Sequence, residues 1–244
     1  FTITSKDWLD RFDREYHTYV SQRKETIEEK VKDYTMENVL EMFEVIASVP
    51  LKYPTGSSIE VHEIPEDTAT AIYVISRQAG EGHDRRVEPG DFLLSDVEMA
   101  NISHLGNVFD QVVVLINCGA MVDITPLSDI SAVKAIVYIG QGGTEGGNAV
   151  ADILTGAKTP SGKLVDTWAK QYQDFPSYDT FSYMNGDLEN EDYTEGIYVG
   201  YRYFETFDVE PLYPFGYGLS YTTFSYALKN YSIEGTQVTV KVEV

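Results

Sequence analysis

The chain has few basic residues. It carries 18 Lys and Arg against 39 Asp and Glu in 244 residues, so its formal net charge is −21. Nucleic acids and anionic membranes bind proteins that offer a surplus of positive charge, so we expect neither as a partner. The chain also lacks any run near the roughly 18 apolar residues that a membrane span needs.

Cysteine is nearly absent as well. Cys118 is the one cysteine, so no internal disulfide can hold the fold, and its apolar surroundings predict a buried, inert thiol. The four histidines are too scattered to suggest a metal site, and the acidic stretch 187–192 lacks the ligand spacing of a calcium loop. We therefore expect no metal and no cofactor. The histidines are His17, His62, His83 and His104.

The two ends of the chain suggest a piece of a longer protein. It begins with Phe1 rather than Met and ends at Val244 in an alternating, strand-like run. Over residues 1–50, apolar and aromatic residues recur at helical spacing, which predicts helices packed on the rest of the domain. Thr26 and Glu29 fit a capping box and predict a helix start there.

The centre of the chain predicts an α/β fold. Three short apolar runs, Ala71–Ile75, Val112–Ile116 and Ala135–Ile139, are rich in β-branched residues and do not alternate. Such runs are typical of strands in a parallel sheet that is covered on both faces. A capping box at Ser95 and an apolar stripe ending before Gly156 predict helices between and after the strands. We expect a layered sandwich with a mostly parallel sheet flanked by helices.

The last third of the chain has another character. Residues 160–221 are rich in Tyr, Gly, Pro and acids, which predicts loops and short strands over the α/β core. From Tyr221 the pattern is strand, turn, strand, which looks like the opening of a separate β domain. We therefore divide the chain into an α/β domain over residues 1–220 and a β segment over residues 221–244.

Two glycine-rich loops follow predicted strands, where α/β sheets bind ligands. In the first, Gly80 and Gly82 flank Glu81, and in the second, four glycines surround Glu145. A solvated turn is the ordinary interpretation of either loop. The second loop fits neither the dinucleotide nor the phosphate-loop pattern, so tight strand-to-helix packing, with Glu145 near a helix N-terminus, is the better interpretation.

Four phrases then occur in order: SRQAGEGHDR, GGTEGGNAVADILTGAKTPSGKLVDTW, EGIYVGYRYFETF and PLYPFGYGLSYTTF. Together they resemble the C-terminal-type α/β sandwich domain of glycoside hydrolase family 3, the β-glucosidase family, over roughly Thr70 to Phe224. The helical first part and the phrase VDTWAK are similar to members in which this domain precedes the catalytic barrel. The segment after Tyr221 resembles the start of the family's fibronectin type III-like domain.

The resemblance implies a retaining β-glucosidase acting on terminal β-D-glucosyl residues of oligosaccharides or aryl glucosides. Family members place the nucleophilic aspartate on a (β/α)8 barrel, which this chain lacks and which would be its partner in the parent chain. They place the acid/base glutamate in the loop that reads GEG here, which corresponds to Glu81. His83, Asp84 and Arg85 correspond to loop-ordering or substrate-binding positions, and His83 stands where relatives often have Tyr.

Three alternatives stay open at this point. The chain could be a non-catalytic sugar-binding or domain-docking module that keeps the fold without the chemistry. It could be a flavodoxin-like nucleotide binder, which depends on the second glycine-rich loop alone. Within the family, β-xylosidase is the second specificity, because the residues that would select the sugar belong mostly to the absent barrel.

Overall fold

The computed structural model describes residues 5–49, 51–64, 68–78, 84–187 and 189–244. Its centre is a parallel sheet of three strands in the order β1-β2-β3, formed by Thr70–Ser76, Gln111–Asn117 and Val133–Tyr138. The strands lie within a few residues of the three predicted apolar runs. The predicted α/β fold with a parallel sheet flanked by helices is therefore confirmed.

One face of this sheet forms the core. Helix α3, Asp96–Val108, follows β1 and places its apolar side on this face. The predicted capping box begins the helix, because the Ser95 hydroxyl accepts a hydrogen bond from the Glu98 N–H and the Glu98 carboxylate accepts one from the Ser95 N–H. Apolar burial at this face is the main stabilisation of the domain. Its most deeply buried members are Ile75, Ile102, Val112, Val114 and Ile116.

The expectation that all three strands are covered on both faces is wrong for β1 and β3. Only β2 is buried along both faces, with Val114 fully buried and Leu115 at 4% exposure. On β1 the side chains of Ile72 and Val74 are 39% and 47% exposed. Successive side chains of a strand point to opposite faces of the sheet. Tyr73 and Ile75 therefore face α3 and are buried, whereas Ile72 and Val74 face the other side.

Helix α1, Lys6–Val31, lies against the segment 51–64. The Trp8 indole N–H donates to the Ser57 carbonyl at 2.8 Å, and Arg11 pairs with the buried Glu63 carboxylate at 2.5 and 3.0 Å. The Asn101 side chain of α3 in turn donates to the Ser57 carbonyl at 3.0 Å. The prediction that the first helical part packs on the domain is therefore confirmed.

The predicted helix start at Thr26 is wrong. Helix α1 runs without a break through this position, and the Thr26 hydroxyl donates to the Gln22 carbonyl inside the helix. The break comes later, where Thr35 caps a short 3₁₀ turn that leads into helix α2, Val39–Ala47. A threonine hydroxyl can bond to the carbonyl four residues earlier, so it does not always begin a helix.

Loops dominate the last third, as predicted. Helix α4, Gly146–Leu154, precedes this part of the chain, and the short helix α5, Tyr201–Thr206, lies within it. Trp168 pairs with Tyr213 in an isolated bridge. An antiparallel hairpin of β4, Ala227–Glu234, and β5, Gln237–Glu243, follows. Across the described residues, no helix is long and apolar enough to cross a membrane.

Candidate active site

Both glycine-rich loops leave the same edge of the sheet. The Arg77 N–H after β1 donates to the Asn117 carbonyl at 3.0 Å, and the Ile139 N–H after β3 donates to the Ile116 carbonyl at 2.9 Å. The Asn117 amide also reaches the Ser76 hydroxyl at 3.4 Å. Because parallel strands end together, the two loops begin at the same edge, on either side of β2, where ligands bind in open α/β sheets.

The loop with the predicted acid/base glutamate is described at its two ends. Glu81 and His83 lie outside the described residues, so their predicted roles stay predictions. Gln78 is the last described residue before them, and Asp84 is the first one after them. The contacts of these two ends therefore define how the segment is attached to the domain.

The first end is attached through Arg77. Its guanidinium forms two hydrogen bonds with the Glu98 carboxylate, at 2.7 and 2.6 Å, and both side chains are almost fully buried. The same guanidinium donates to the backbone carbonyls of Ser76, Asp91 and Leu93. A buried charge is tolerated only when it is paired and hydrogen-bonded, and Arg77 satisfies both conditions.

The second end is attached through Arg85. Its Nε donates to the Asp91 Oδ1 at 2.6 Å, its Nη2 to the Asp91 carbonyl at 2.6 Å and its Nη1 to the Met121 carbonyl at 2.5 Å. The Arg85 side chain is only 15% exposed. These contacts account for all three nitrogens of the predicted substrate-binding arginine, and they favour the loop-ordering role over direct sugar binding.

Asp84 has a different partner. It is exposed, and its Oδ2 accepts a 2.6 Å hydrogen bond from the Ser182 hydroxyl. The Ser182 N–H in turn donates to both oxygens of Glu191 at 3.1 Å, and Ser182 adopts a positive φ of 55°. Asp84 thus connects the predicted catalytic loop to the tyrosine-rich segment, and its predicted substrate contact stays a prediction.

The contacts of the second glycine-rich loop fit its interpretation as a tight connection from β3 to α4. Glu145 is the residue that precedes α4, and its carboxylate accepts a 2.5 Å hydrogen bond from the Asn148 amide in the first turn. A carboxylate at this position interacts favourably with the helix dipole, as predicted. In the same loop a side chain at Gly142 would meet the Gly146 Cα at 2.9 Å, which explains the need for glycine there.

The structure does not support the other candidate sites. Cys118 is fully buried, as predicted for an inert thiol. Within the described ranges, no three or more His, Cys, Asp or Glu side chains come together as a metal site would require. An open groove of about 560 Å³ runs beside α1, but its lining residues, Arg11 and Lys52 among them, include none from the strand ends.

Sequence reasoning missed the part that three residues play at this edge. Arg77, Asp91 and Glu98 hold the ends of the loop, but the sequence marked only Glu98, and only as a helix cap. A charged residue directly after a buried strand, such as Arg77, is the signal that could have been used, because it must find a partner. Asp91 lies in an ordinary turn and carries no such signal.

The comparisons with known proteins agree with this geometry. A family model described as the glycosyl hydrolase family 3 C-terminal domain matches residues 5–221. The chain belongs to glycosyl hydrolase family 3. The match places both glycine-rich loops and α1 inside the family domain, and it ends before the C-terminal hairpin.

Curated relatives and solved structures of the family carry β-glucosidase names. The β-glucosidase of Ruminococcus albus is 36% identical over 217 residues, which is 87% of this chain and 22% of that protein. β-Glucosidase A of Butyrivibrio fibrisolvens is 41% identical over 190 residues, 68% of this chain and 22% of that protein. The chain thus spans about a fifth of the length of these relatives.

The fold is similar to that of solved family members. β-Glucosidase 3B from Thermotoga neapolitana, in complex with α-D-glucose, superposes with a TM-score of 0.72 at 35% identity, covering 88% of this chain and 33% of that chain. A β-glucosidase from Paenibacillus barengoltzii superposes with a TM-score of 0.72 at 34% identity, covering 84% and 24%. The α/β architecture is therefore the one that these enzymes contain.

Proposed function

We propose that the full-length protein is a retaining β-glucosidase and that this domain supplies its general acid/base, Glu81. The observation that carries the proposal is where the described residues on either side of the GEG segment lie. The flanking Arg77 and Arg85 are held at the carboxyl edge of the parallel sheet, where a second domain can meet it. The β-glucosidase names of the relatives support the substrate class.

The chemistry divides between two domains. In the first step the protonated Glu81 would donate its proton to the glycosidic oxygen while an aspartate on the barrel attacks the anomeric carbon, so the bond to the leaving group breaks and a glycosyl ester forms. In the second step the Glu81 carboxylate would take a proton from water, whose oxygen attacks the same carbon, so the ester bond to the aspartate breaks and the sugar is released. Retention requires the two carboxyls to lie about 5–5.5 Å apart.

The proposal assigns the domain two partners, the β-glucoside or oligosaccharide substrate and the catalytic barrel of the same chain. A carboxylic acid that must donate a proton near neutral pH needs a raised pKa, since an unperturbed glutamate titrates at about 4.3. The negative charge of the nucleophile and burial against the sugar raise such a pKa. Both depend on the barrel, so we expect the isolated domain to be inactive on aryl β-glucosides.

The test compares leaving groups in the full-length protein. Glu81→Gln should lower kcat/KM for phenyl β-D-glucoside by about 10²–10⁴-fold, because that leaving group needs the proton. It should change kcat/KM for 2,4-dinitrophenyl β-D-glucoside far less, because that leaving group departs as the anion. Glu145→Gln, the same change in the other glycine-rich loop, is the matched control and should leave both values near the parent. Normal hydrolysis of both substrates by Glu81→Gln would overturn the proposal.

We also propose that residues 1–220 form the sandwich domain and that the segment 221–244, which contains the hairpin, begins a fibronectin type III-like domain. The hairpin lies beyond the family match, and Leu228, Tyr231 and Ile233 are each more than 60% exposed on it. A two-stranded hairpin is marginally stable by itself and needs further strands or a packing partner. Its amides should exchange with solvent rapidly in this chain and slowly in the full-length protein, whereas equal exchange in both would contradict the assignment.

A further inference from the structure

We propose that Asp91 is a positioning residue for Glu81, because it holds the two ends of the segment that carries this glutamate against each other. The inference depends on the proposed function of Glu81. Arg77 and Arg85 each lie four residues from Glu81 along the chain, one before it and one after it. Both side chains converge on Asp91, which lies in the turn that follows the loop.

The two guanidiniums share one acceptor. The Arg77 Nε donates to the Asp91 backbone carbonyl at 2.8 Å, and the Arg85 Nη2 donates to the same oxygen at 2.6 Å. One peptide oxygen thus bridges residues that flank the loop on both sides. This arrangement fixes the separation of the two ends.

The Asp91 carboxylate completes the attachment. Its Oδ1 accepts from the Arg85 Nε at 2.6 Å, and its Oδ2 accepts from the Arg86 backbone N–H at 2.7 Å. The turn itself is held by the Asp91 N–H, which donates to the Glu88 carbonyl at 3.1 Å. Loss of the negative charge would leave the partly buried Arg85 cation without its ion-pair partner.

Both ends also contact other parts of the domain. Arg77 is bound by Glu98 in the first turn of α3, and Arg85 donates to the Met121 carbonyl beyond the end of β2. A catalytic group must be held within about 0.5 Å of its productive position by such supports. A displacement of about 1 Å can lower a rate about 10²-fold, so the attachment at Asp91 should affect proton donation directly.

The test is Asp91→Asn in the full-length protein, with Glu88→Gln as the matched control in the same turn. The asparagine side chain has one acceptor oxygen, so it cannot accept hydrogen bonds from both the Arg85 Nε and the Arg86 N–H. It also lacks the negative charge of Asp91. We expect kcat/KM for phenyl β-D-glucoside to fall about tenfold, the usual value of one charge-assisted hydrogen bond, while the value for the 2,4-dinitrophenyl substrate stays within about twofold. Glu88→Gln should change neither value.

The decisive quantity is the ratio of kcat/KM for phenyl β-D-glucoside to kcat/KM for the 2,4-dinitrophenyl substrate, because this ratio does not depend on the fraction of folded enzyme. Arg85→Lys, which keeps the charge but loses the planar fork, should change the ratio in the same direction if Asp91→Asn folds poorly. An unchanged ratio in both variants would overturn the inference. Glu81→Gln measured alongside separates the two proposals: if it alters the ratio and the Asp91 and Arg85 variants do not, only this inference fails.

Discussion

Removal of the Glu98 carboxylate should destabilise the domain more than its place in an ordinary helix cap suggests. Glu98 is only 2% exposed and forms two hydrogen bonds with the Arg77 guanidinium, whose side chain is 4% exposed. Its carboxylate also accepts a hydrogen bond from the Ser95 N–H at the start of α3. In Glu98→Ala the arginine would remain buried without a counter-charge, and the helix would lose half of its capping box.

The magnitude follows from these two losses. Breaking a buried ion pair by removing one partner costs about 3–5 kcal/mol. A lost helix cap contributes about 1 kcal/mol more. We therefore expect Glu98→Ala to lower the free energy of unfolding by about 4–6 kcal/mol, a large share of the roughly 5–15 kcal/mol that stabilises a typical domain.

Urea unfolding at pH 7, followed by tryptophan fluorescence, measures this loss. Glu210→Ala, which removes an exposed partner of Lys170, is the control and should have little effect. The double variant Arg77→Met with Glu98→Leu should recover part of the lost stability, because it removes the unpaired buried charge, whereas the backbone carbonyls that Arg77 satisfies lose their donor. A loss below about 1 kcal/mol in Glu98→Ala, or a double variant no more stable than the single one, would refute this reasoning.

Three further predictions concern stability. Gly56→Ala should cost about 1–3 kcal/mol in urea unfolding, because Gly56 has a φ of +92° and the new Cβ would meet the Trp8 ring at 2.7 Å. The Arg11 guanidinium holds the pKa of Glu63 below its usual range. The ion pair should therefore stabilise the fold fully above about pH 4.3 and lose this effect as the pH falls through the lowered pKa of the folded state. Below that pKa, urea unfolding should give Glu63→Gln and the parent the same stability. Burial raises the pKa of Tyr73 to about 12, so stability should fall as the pH rises above about 10, and Tyr73→Phe should weaken that dependence in alkaline unfolding curves.

The sheet and its first crossover helix could be predicted from the sequence because local signals and tertiary structure agree there. The run Val112–Ile116 is apolar at every position, and β2 is buried along both faces. Ser95 and Glu98 satisfy the same backbone groups in the structure that the pattern predicts. At Thr26 the local signal and the structure disagree. A threonine hydroxyl can form a hydrogen bond either at a helix start or inside a helix, and the Thr26 hydroxyl forms one inside the helix, to the Gln22 carbonyl.

Coverage of the sheet could not be predicted from composition. Ile72 and Val74 are as apolar as Tyr73 and Ile75, but only the latter two face α3 and the core. An apolar run shows that burial is favourable without showing what covers each face. The relatives are several times longer than this chain, which covers 22% of the Ruminococcus albus β-glucosidase.

The attachment of the candidate loop depended on the turn that follows it. Arg77, Arg85 and Asp91 are separated by up to fourteen residues, and their convergence arises because the chain folds back after the loop. The resemblance to the family gave Glu81 a role, but neither pattern nor spacing indicated that one carbonyl joins both ends. Contacts of this kind are a property of the folded turn and become visible only in the structure.

The most direct measurement of the central claim is rescue by an anion that needs no general base. In full-length Glu81→Ala acting on 2,4-dinitrophenyl β-D-glucoside, the glycosyl ester should accumulate because no carboxylate takes the proton from water. Added azide should accelerate turnover and yield β-D-glucosyl azide, while the parent enzyme should yield glucose alone. If azide neither accelerates the variant nor appears in the product, Glu81 is not the acid/base residue.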